Sequence, residues 1–145
     1  MSNSILDHPI LVPDTSVIIK WFRQQEVLAQ SALAVREAYL AGQTTLLIPS
    51  LMAYEVANVL RYKGELTTEQ VQKAMQSLFE MDLEWIAPTV GLMNRAIEIA
   101  RSYETTVYDA TFVAVADGMN AVFITADERL VHRMAEFPCV CYLGE

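Results

Sequence analysis

Short apolar runs alternate along the chain with longer stretches in which apolar residues recur every three or four positions. Ile10-Leu11-Val12-Pro13 is the first short run, and it predicts a buried strand that turns at Asp14 into a short helix over Val17 to Phe22. A longer helix follows, with Leu28, Ala32, Val35 and Tyr39 at helical spacing and Gly42 as its stop. Thr44 to Pro49 reads as a second strand, β-branched and apolar, closed by proline. Ser50 is placed to cap the next helix, which runs to about Lys63 with Gly64 behind it. Thr67 and Gln70 have capping-box spacing for a helix whose core face is Val71, Met75, Leu78 and Phe79.

A third strand is expected near Leu83 to Ala87, closed by Pro88. Thr89 then caps a helix marked by Leu92, Met93, Ala96, Ile97 and Ala100. From Tyr108 to Met119 the chain is apolar on nearly every side, which predicts a helix covered all round. Ala121 to Ile124 and Val140 to Leu143 are the remaining strands. Continuously apolar strands alternating with helices predict an α/β fold with a mostly parallel sheet of about five short strands, covered on both faces.

With 145 residues, 53% of them hydrophobic, the chain fits one domain spanning residues 1–145, large enough to bury roughly two thirds of its unfolded surface. No internal repeat, low-complexity tract or linker interrupts it. The amino end lacks the basic region and long apolar core of a signal peptide, and no stretch approaches the roughly 20 apolar residues of a membrane span. A cytoplasmic protein with no membrane partner is therefore expected. Cys139 and Cys141 stand without a second pair or a nearby His, so zinc lacks ligands, and neighbours on one strand face are poorly placed for a disulfide. Buried strand thiols in a reducing compartment are the expectation. The formal net charge of −8 argues against a broad basic nucleic-acid surface, but not against a nuclease whose acidic site is neutralised by metal ions. It also makes a basic partner plausible.

Four acids stand out from the solvated charges. Asp14 lies just past the first strand, at the sheet rim where α/β proteins place ligands. Glu55 is not explained as a cap partner of Ser50, because the capping-box position is Ala53. It shares a helix stripe with Leu51, Asn58 and Tyr62, and reads either as a solvated helix charge or as part of a site. Asp109 opens the apolar helix, as its N-cap, as a rim carboxylate, or as both. Asp127 follows the fourth strand; because Thr125 and Glu128 have capping-box spacing, the helix start is provided for without it, and Glu128 is most simply a cap.

Carboxylates converging on one rim repel by about 4 kcal/mol for each pair about 4 Å apart at an effective dielectric near 20. Some must then bind protons, unless a hard divalent cation removes the conflict. An all-oxygen site with waters suits Mg²⁺ or Mn²⁺ better than zinc, and the chemistry implied is phosphodiester hydrolysis.

Asp14-Thr15-Ser16-Val17, Pro49-Ser50-Leu51 through Glu55 to Leu60, Tyr108-Asp109-Ala110-Thr111-Phe112 through Ala116, and Thr125-Ala126-Asp127-Glu128-Arg129-Leu130 together resemble, in order, the four motifs of PIN-domain ribonucleases. The likeness is greatest to the toxins of VapBC-type toxin-antitoxin pairs. The resemblance implies a three-layer α/β/α sandwich and an RNA substrate. It also implies a metal-binding and catalytic set of Asp14, Glu55, Asp109 and Asp127, with Ser16 and Thr125 as polar support. It further implies a homodimer and an antitoxin that blocks the site.

Lys20, Arg23, Arg61 and Lys63 follow the first and second motifs and can meet RNA phosphates or form ordinary solvated surface. Trp21, Phe22 and Trp85 can stack on bases or be buried. His8 and His132 match no catalytic spacing. No glycine loop for nucleotides is present, and Ser16 stands where a haloacid-dehalogenase-type phosphatase wants a second Asp. A receiver domain wants an acidic pair after its first strand, and Pro13 and Thr15 flank Asp14. Two other readings remain: a PIN-type RNA-processing nuclease without an antitoxin, and a non-catalytic module that binds RNA or protein.

Overall fold

Successive side chains of a strand point to opposite faces, so a strand buried at every position must be covered on both. That is the state of β4 (Val122–Thr125), of Leu11 to Pro13 in β1 (Ile10–Pro13) and of Leu46 to Pro49 in β2 (Thr45–Pro49). The computed structural model describes residues 5–63 and 65–145. With β3 (Glu84–Ile86) and β5 (Val140–Tyr142), these strands form one sheet in the order β3-β2-β1-β4-β5. Every neighbouring pair is parallel, where a mostly parallel sheet was expected.

The order fixes where a ligand can sit. The chain steps outward from β1 to β2 to β3, then returns to lay β4 on the other flank of β1, with Leu11 opposite Val122 and Pro13 opposite Ile124. Loops therefore leave the carboxyl ends of β1 and β4 in opposite directions and open a crevice between them.

The helices are α1 (Thr15–Phe22), α2 (Ala29–Leu40), α3 (Leu51–Tyr62), α4 (Thr68–Glu80), α5 (Val90–Tyr103), α6 (Val107–Gly118) and α7 (Glu128–Arg133). They complete an α/β sandwich. The helix expected to be covered all round is α6: Ala110 to Ala116 are all buried, and the helix packs on β1, β2 and β4 with α5 behind it. Phe112 meets Phe123 of β4 with ring centroids 6.0 Å apart. On α1, Trp21 is buried and its Nε1 donates to the Ala32 carbonyl at 2.8 Å, so this ring is a core clamp between α1 and α2.

Several local expectations hold. Gly42 ends α2 with φ of 76°, a left-handed conformation that glycine adopts without strain. Thr67 and Gln70 form both arms of the capping box, and the Thr89 hydroxyl accepts from the Leu92 amide.

Others are corrected. Ser50 does not cap α3: its backbone is already helical at φ −60° and ψ −25°, not extended as a capping side chain requires, and its amide donates to Ile86 at the end of the β2-β3 ladder. Leu28 precedes α2 in a left-handed conformation, φ 68°. Phe79 is 54% exposed and Ile97 45%; the buried stripes are narrower than apolarity suggested, Leu78 on α4 and Ala96, Ile99 and Ala100 on α5. Phe79 instead stacks on half-buried Trp85, centroids 5.2 Å apart. The cysteines are free but only half-buried, because β5 is an edge strand. The stop expected at Gly64 lies outside the described residues.

Phe112 is fully buried between helix and sheet, so Phe112→Ala is expected to lower unfolding free energy by about 3–5 kcal/mol. Urea denaturation followed by far-UV circular dichroism measures this; a loss under about 1 kcal/mol contradicts the packing of α6 on the sheet.

Candidate active site at the carboxyl rim of the sheet

Asp14 prolongs β1 by one residue, its amide donating to the Ile124 carbonyl of β4 at 2.8 Å, and then α1 begins. It occupies the N-cap position of α1 with extended backbone, but its carboxylate does not cap the helix. Both its side-chain partners are hydroxyls: Ser16 Oγ donates to Asp14 Oδ2 at 2.8 Å, and Thr125 Oγ1 donates to the same oxygen at 2.9 Å. Each hydroxyl has one proton to give. Both spend it on Asp14, while Ser16 Oγ accepts from the Ala126 amide at 3.0 Å and Thr125 Oγ1 from the Asp127 amide at 3.0 Å. Asp14, Ser16 and Thr125 thus lock the first motif to the fourth across the crevice.

Glu55 lies on α3, half-buried, and Thr15 Oγ1 donates to its Oε1 at 2.5 Å. The two hydroxyls after Asp14 therefore serve different acids, Thr15 the second and Ser16 the first. Thr15 is a site residue that the motif reading omits; its place between Asp14 and Ser16 is its signal in the sequence.

Asp109 is the third residue of α6 and not its N-cap. The cap is Thr106, whose hydroxyl accepts from the Asp109 amide at 3.0 Å, leaving the Asp109 carboxylate free of that duty. Asp127 is corrected in the opposite sense. It is the N-cap of α7, its Oδ1 accepting from the Arg129 amide at 3.0 Å and the Leu130 amide at 3.2 Å. Thr125 cannot take that role, because it lies in β4 with its hydroxyl committed to Asp14. Glu128 sits in the first turn of α7 and is not the cap.

Asp14, Glu55 and Asp109 are each raised by burial and by a neighbouring acid. Burial pushes the Asp14 carboxyl up to about 6 against the pull of the Ser16 and Thr125 hydrogen bonds, and the Asp109 charge adds to the rise. Glu55 is raised by burial, opposed by Thr15, and raised further by Asp14 and Asp109. Asp109 is raised by burial and by Asp127, against the Thr105 and Thr106 hydroxyls and the Arg133 charge. Among the described residues, no Lys or Arg forms an ion pair with any of the four.

The donor set is oxygen only, which suits Mg²⁺ or Mn²⁺, and the second carboxylate oxygens of Glu55 and Asp127 have no hydrogen bond among the described residues. The acids adjoin without closing: among the described residues, no three His, Cys, Asp or Glu side chains are grouped tightly enough to enclose an ion. Uncompensated repulsion is a physical reason for carboxylates to stand apart.

Beside Asp127 a cleft of about 340 Å³ runs past Thr15 and Ser16 to Lys20, Glu26 and Lys63. Lys20, Arg23 and Lys63 all pair with Glu26, whereas exposed Arg61 lies over the Tyr62 ring, 5.5 Å from its centroid, and does not join them. A second cleft of about 380 Å³, lined by Pro49, Leu51, Ile86, Leu92 and Tyr108, is apolar and offers no charged ligand.

A doubly wound parallel sheet with Asp14 buried at its switch point, and with the charges of Asp109 and Asp127 reaching neighbouring carboxyls, defines the class: an α/β protein with an acidic rim. The PIN domain model matches residues 11–136, and the chain belongs to the PIN-domain family. It is 28% identical over 127 residues to Ribonuclease VapC3 of Pyrobaculum aerophilum, covering 85% of this chain and 93% of that protein. Ribonuclease VapC9 of Mycobacterium tuberculosis is 33% identical over 86 residues, 57% of this chain and 65% of its own. Among solved structures, a toxin-antitoxin complex from Klebsiella pneumoniae superposes with a TM-score of 0.68 at 20% identity, covering 92% of this chain and 97% of that one.

A carboxyl at about 6 when folded and near 3.9 when unfolded favours the folded state only when protonated, so its ionisation removes about 3 kcal/mol as pH rises from 4 through 6. Asp14→Asn keeps an oxygen for both hydroxyls and removes the charge. In chelator at pH 7.5 it is expected to be more stable than wild type by about 2–3 kcal/mol, the difference vanishing towards pH 4. Paired denaturation curves across that range check this, and an Asn variant less stable at pH 7.5 contradicts it.

Proposed function

We propose that the chain is a divalent-metal-dependent endoribonuclease that hydrolyses RNA phosphodiester bonds, and that it is the toxin of a type II toxin-antitoxin pair working in the cytoplasm. The observation that carries the reading is the set of carboxyls of Asp14, Glu55 and Asp109, raised by burial and by neighbouring acids, with no ion-paired Lys or Arg among the described residues. A structural scaffold gains nothing from that cost.

Asp14, Glu55, Asp109 and Asp127 are the side chains that would hold Mg²⁺ or Mn²⁺. When bound, the ion supplies charge for a phosphate oxygen and lowers the pKa of an attacking water. The remaining work belongs to the chain. Ser16 and Thr125 fix Asp14 in one orientation and favour its anion, and Thr15 does the same for Glu55. Asp127 is oriented by two α7 amides through one oxygen, which leaves its other oxygen for the site. These contacts hold Asp14, Glu55 and Asp127 in fixed orientations with oxygens left for a cation.

The toxin assignment is supported by the VapC ribonucleases among the relatives and by the fold shared with a toxin-antitoxin complex. Large apolar side chains exposed near the site, among them Tyr54, Tyr62 and Tyr108, support both a homodimer and a cognate antitoxin as partners.

The purified chain is expected to cleave RNA with Mg²⁺ or Mn²⁺ and to stop in chelator. Asp14→Asn and Asp109→Asn are each expected to lower the rate by about 100-fold or more while circular dichroism shows a folded protein. Cleavage that survives both changes places the activity elsewhere, and RNA binding without cleavage at any metal concentration favours a non-catalytic module. Growth arrest on expression, relieved by the product of a small adjacent reading frame, distinguishes a toxin from an RNA-processing nuclease.

A further inference from the structure

Three of the chain's ten Lys and Arg residues meet at one carboxylate. Glu26, in the loop between α1 and α2, has Lys20 Nζ at 3.2 Å, Arg23 Nε at 2.8 Å and Lys63 Nζ at 3.7 Å; Arg23 also pairs with Glu65. The Lys20 and Arg23 side chains are only 12% exposed and Glu26 22%, so this is not a set of loosely held surface charges. Three cations against two carboxylates leave a surplus of one positive charge beside an acidic rim, in a chain of formal net charge −8.

Glu26 stands two residues ahead of the N-cap position of α2, Leu28, and α2 has no side-chain cap, so the Glu26 carboxylate has no part in starting the helix. The carboxylate instead fills the cationic end of the cleft that leads, past Ser16, to Asp127. Burying an anion there is favourable. Burial alone pushes the Glu26 carboxyl up, yet the hydrogen bonds and charges of Arg23, Lys20 and Lys63 hold it below its ordinary value.

We propose that Lys20, Arg23 and Lys63 form a subsite for a backbone phosphate of single-stranded RNA, next to the phosphate at the acidic rim, and that Glu26 occupies this subsite until RNA displaces it. The proposal rests on the ribonuclease reading. An acidic protein repels RNA, so a cationic subsite opening onto the rim is what can hold the strand against that field. Glu26 lies in a loop and can swing out without unmaking a helix or strand. A backbone phosphate brings one negative charge and more acceptor oxygens than the carboxylate it replaces. Arg61, outside the cluster, has no part in it.

The test reads binding in the full chain carrying Asp14→Asn, in chelator, by fluorescence anisotropy of a labelled single-stranded RNA, so that no cleavage contributes. Adding Glu26→Gln is expected to tighten binding about 3–10-fold, because the strand no longer has to displace a carboxylate from the subsite. Glu84→Gln, an exposed change at the opposite end of the sheet, removes the same charge and is expected to leave binding within about twofold. Lys63→Gln is expected to weaken binding about threefold and to flatten the salt plot. Weaker or unchanged binding by Glu26→Gln relative to Glu84→Gln overturns the proposal and makes Glu26 a structural clip. Should Glu26→Gln fail to fold, Lys63→Gln decides, because its half-exposed side chain is dispensable to packing and unchanged affinity overturns the subsite. Loss of cleavage by the wild type with these binding results intact removes the nuclease reading and not the subsite.

Discussion

The carboxylate of Asp14, buried where β1 ends and held by hydroxyls from α1 and β4, is the contact on which the remaining geometry depends. Two segments far apart in sequence, one carrying Asp14 and Ser16 and the other Thr125, meet at one oxygen, and both hydroxyls also accept from amides of the loop that begins α7. The loop cannot shift without unmaking bonds to the hydroxyls that hold Asp14, nor can Asp14 turn outward without leaving both hydroxyls short of an acceptor. The parallel sheet makes this possible. Only because β4 returns to the far flank of β1 do Asp14 and Thr125 finish side by side at one rim.

The placement of cations is the complement of that arrangement. Lys20 begins less than two turns beyond Asp14, and Lys63 lies two turns beyond Glu55, yet both are drawn to Glu26 and away from the acids. Had either lysine paired with Asp14, the carboxyl would sit at an ordinary value and the site would be occupied by the chain itself. Glu26 helps to keep the rim acidic by pairing with Lys20 and Lys63 in the cleft that leads to Asp127. Repulsion at the rim and attraction in the cleft are two consequences of the same division of charge.

The sheet was legible in the sequence because buried parallel strands are apolar at every position, as Leu46-Leu47-Ile48 and Val122-Phe123-Ile124 are, and few other structures are. The acids were legible as types and as distances from strand ends. Their local duties were not. Thr125-Ala126-Asp127-Glu128 offers two registers for a helix start, and spacing favoured Thr125; what decided for Asp127 was that the Thr125 hydroxyl had already been claimed by a residue 111 positions away. Asp109 shows the reverse, since Thr106 was an equally good cap three residues earlier. Local pattern finds the candidates, and long-range hydrogen bonds choose among them. The basic residues repeat the lesson: position suggested phosphate contacts, but only the folded chain shows that Lys20, Arg23 and Lys63 share a carboxylate and Arg61 does not.

Asp109 shows what the acidic rim requires of the fold as a whole. A carboxylate in the first turn of a helix is favoured by the helix dipole, so α6 offers Asp109 a partial positive charge that no lysine supplies. Its carboxyl is nevertheless raised, because burial and Asp127 outweigh the Thr105 and Thr106 hydroxyls and Arg133. That balance holds only while α6 stays pressed into the sheet, and it does so through a surface buried at every position from Ala110 to Ala116, with Phe112 against Phe123. The hydrophobic burial of one helix thus sets the electrostatic state of the residue at its start, and packing and charge at this rim cannot be altered independently.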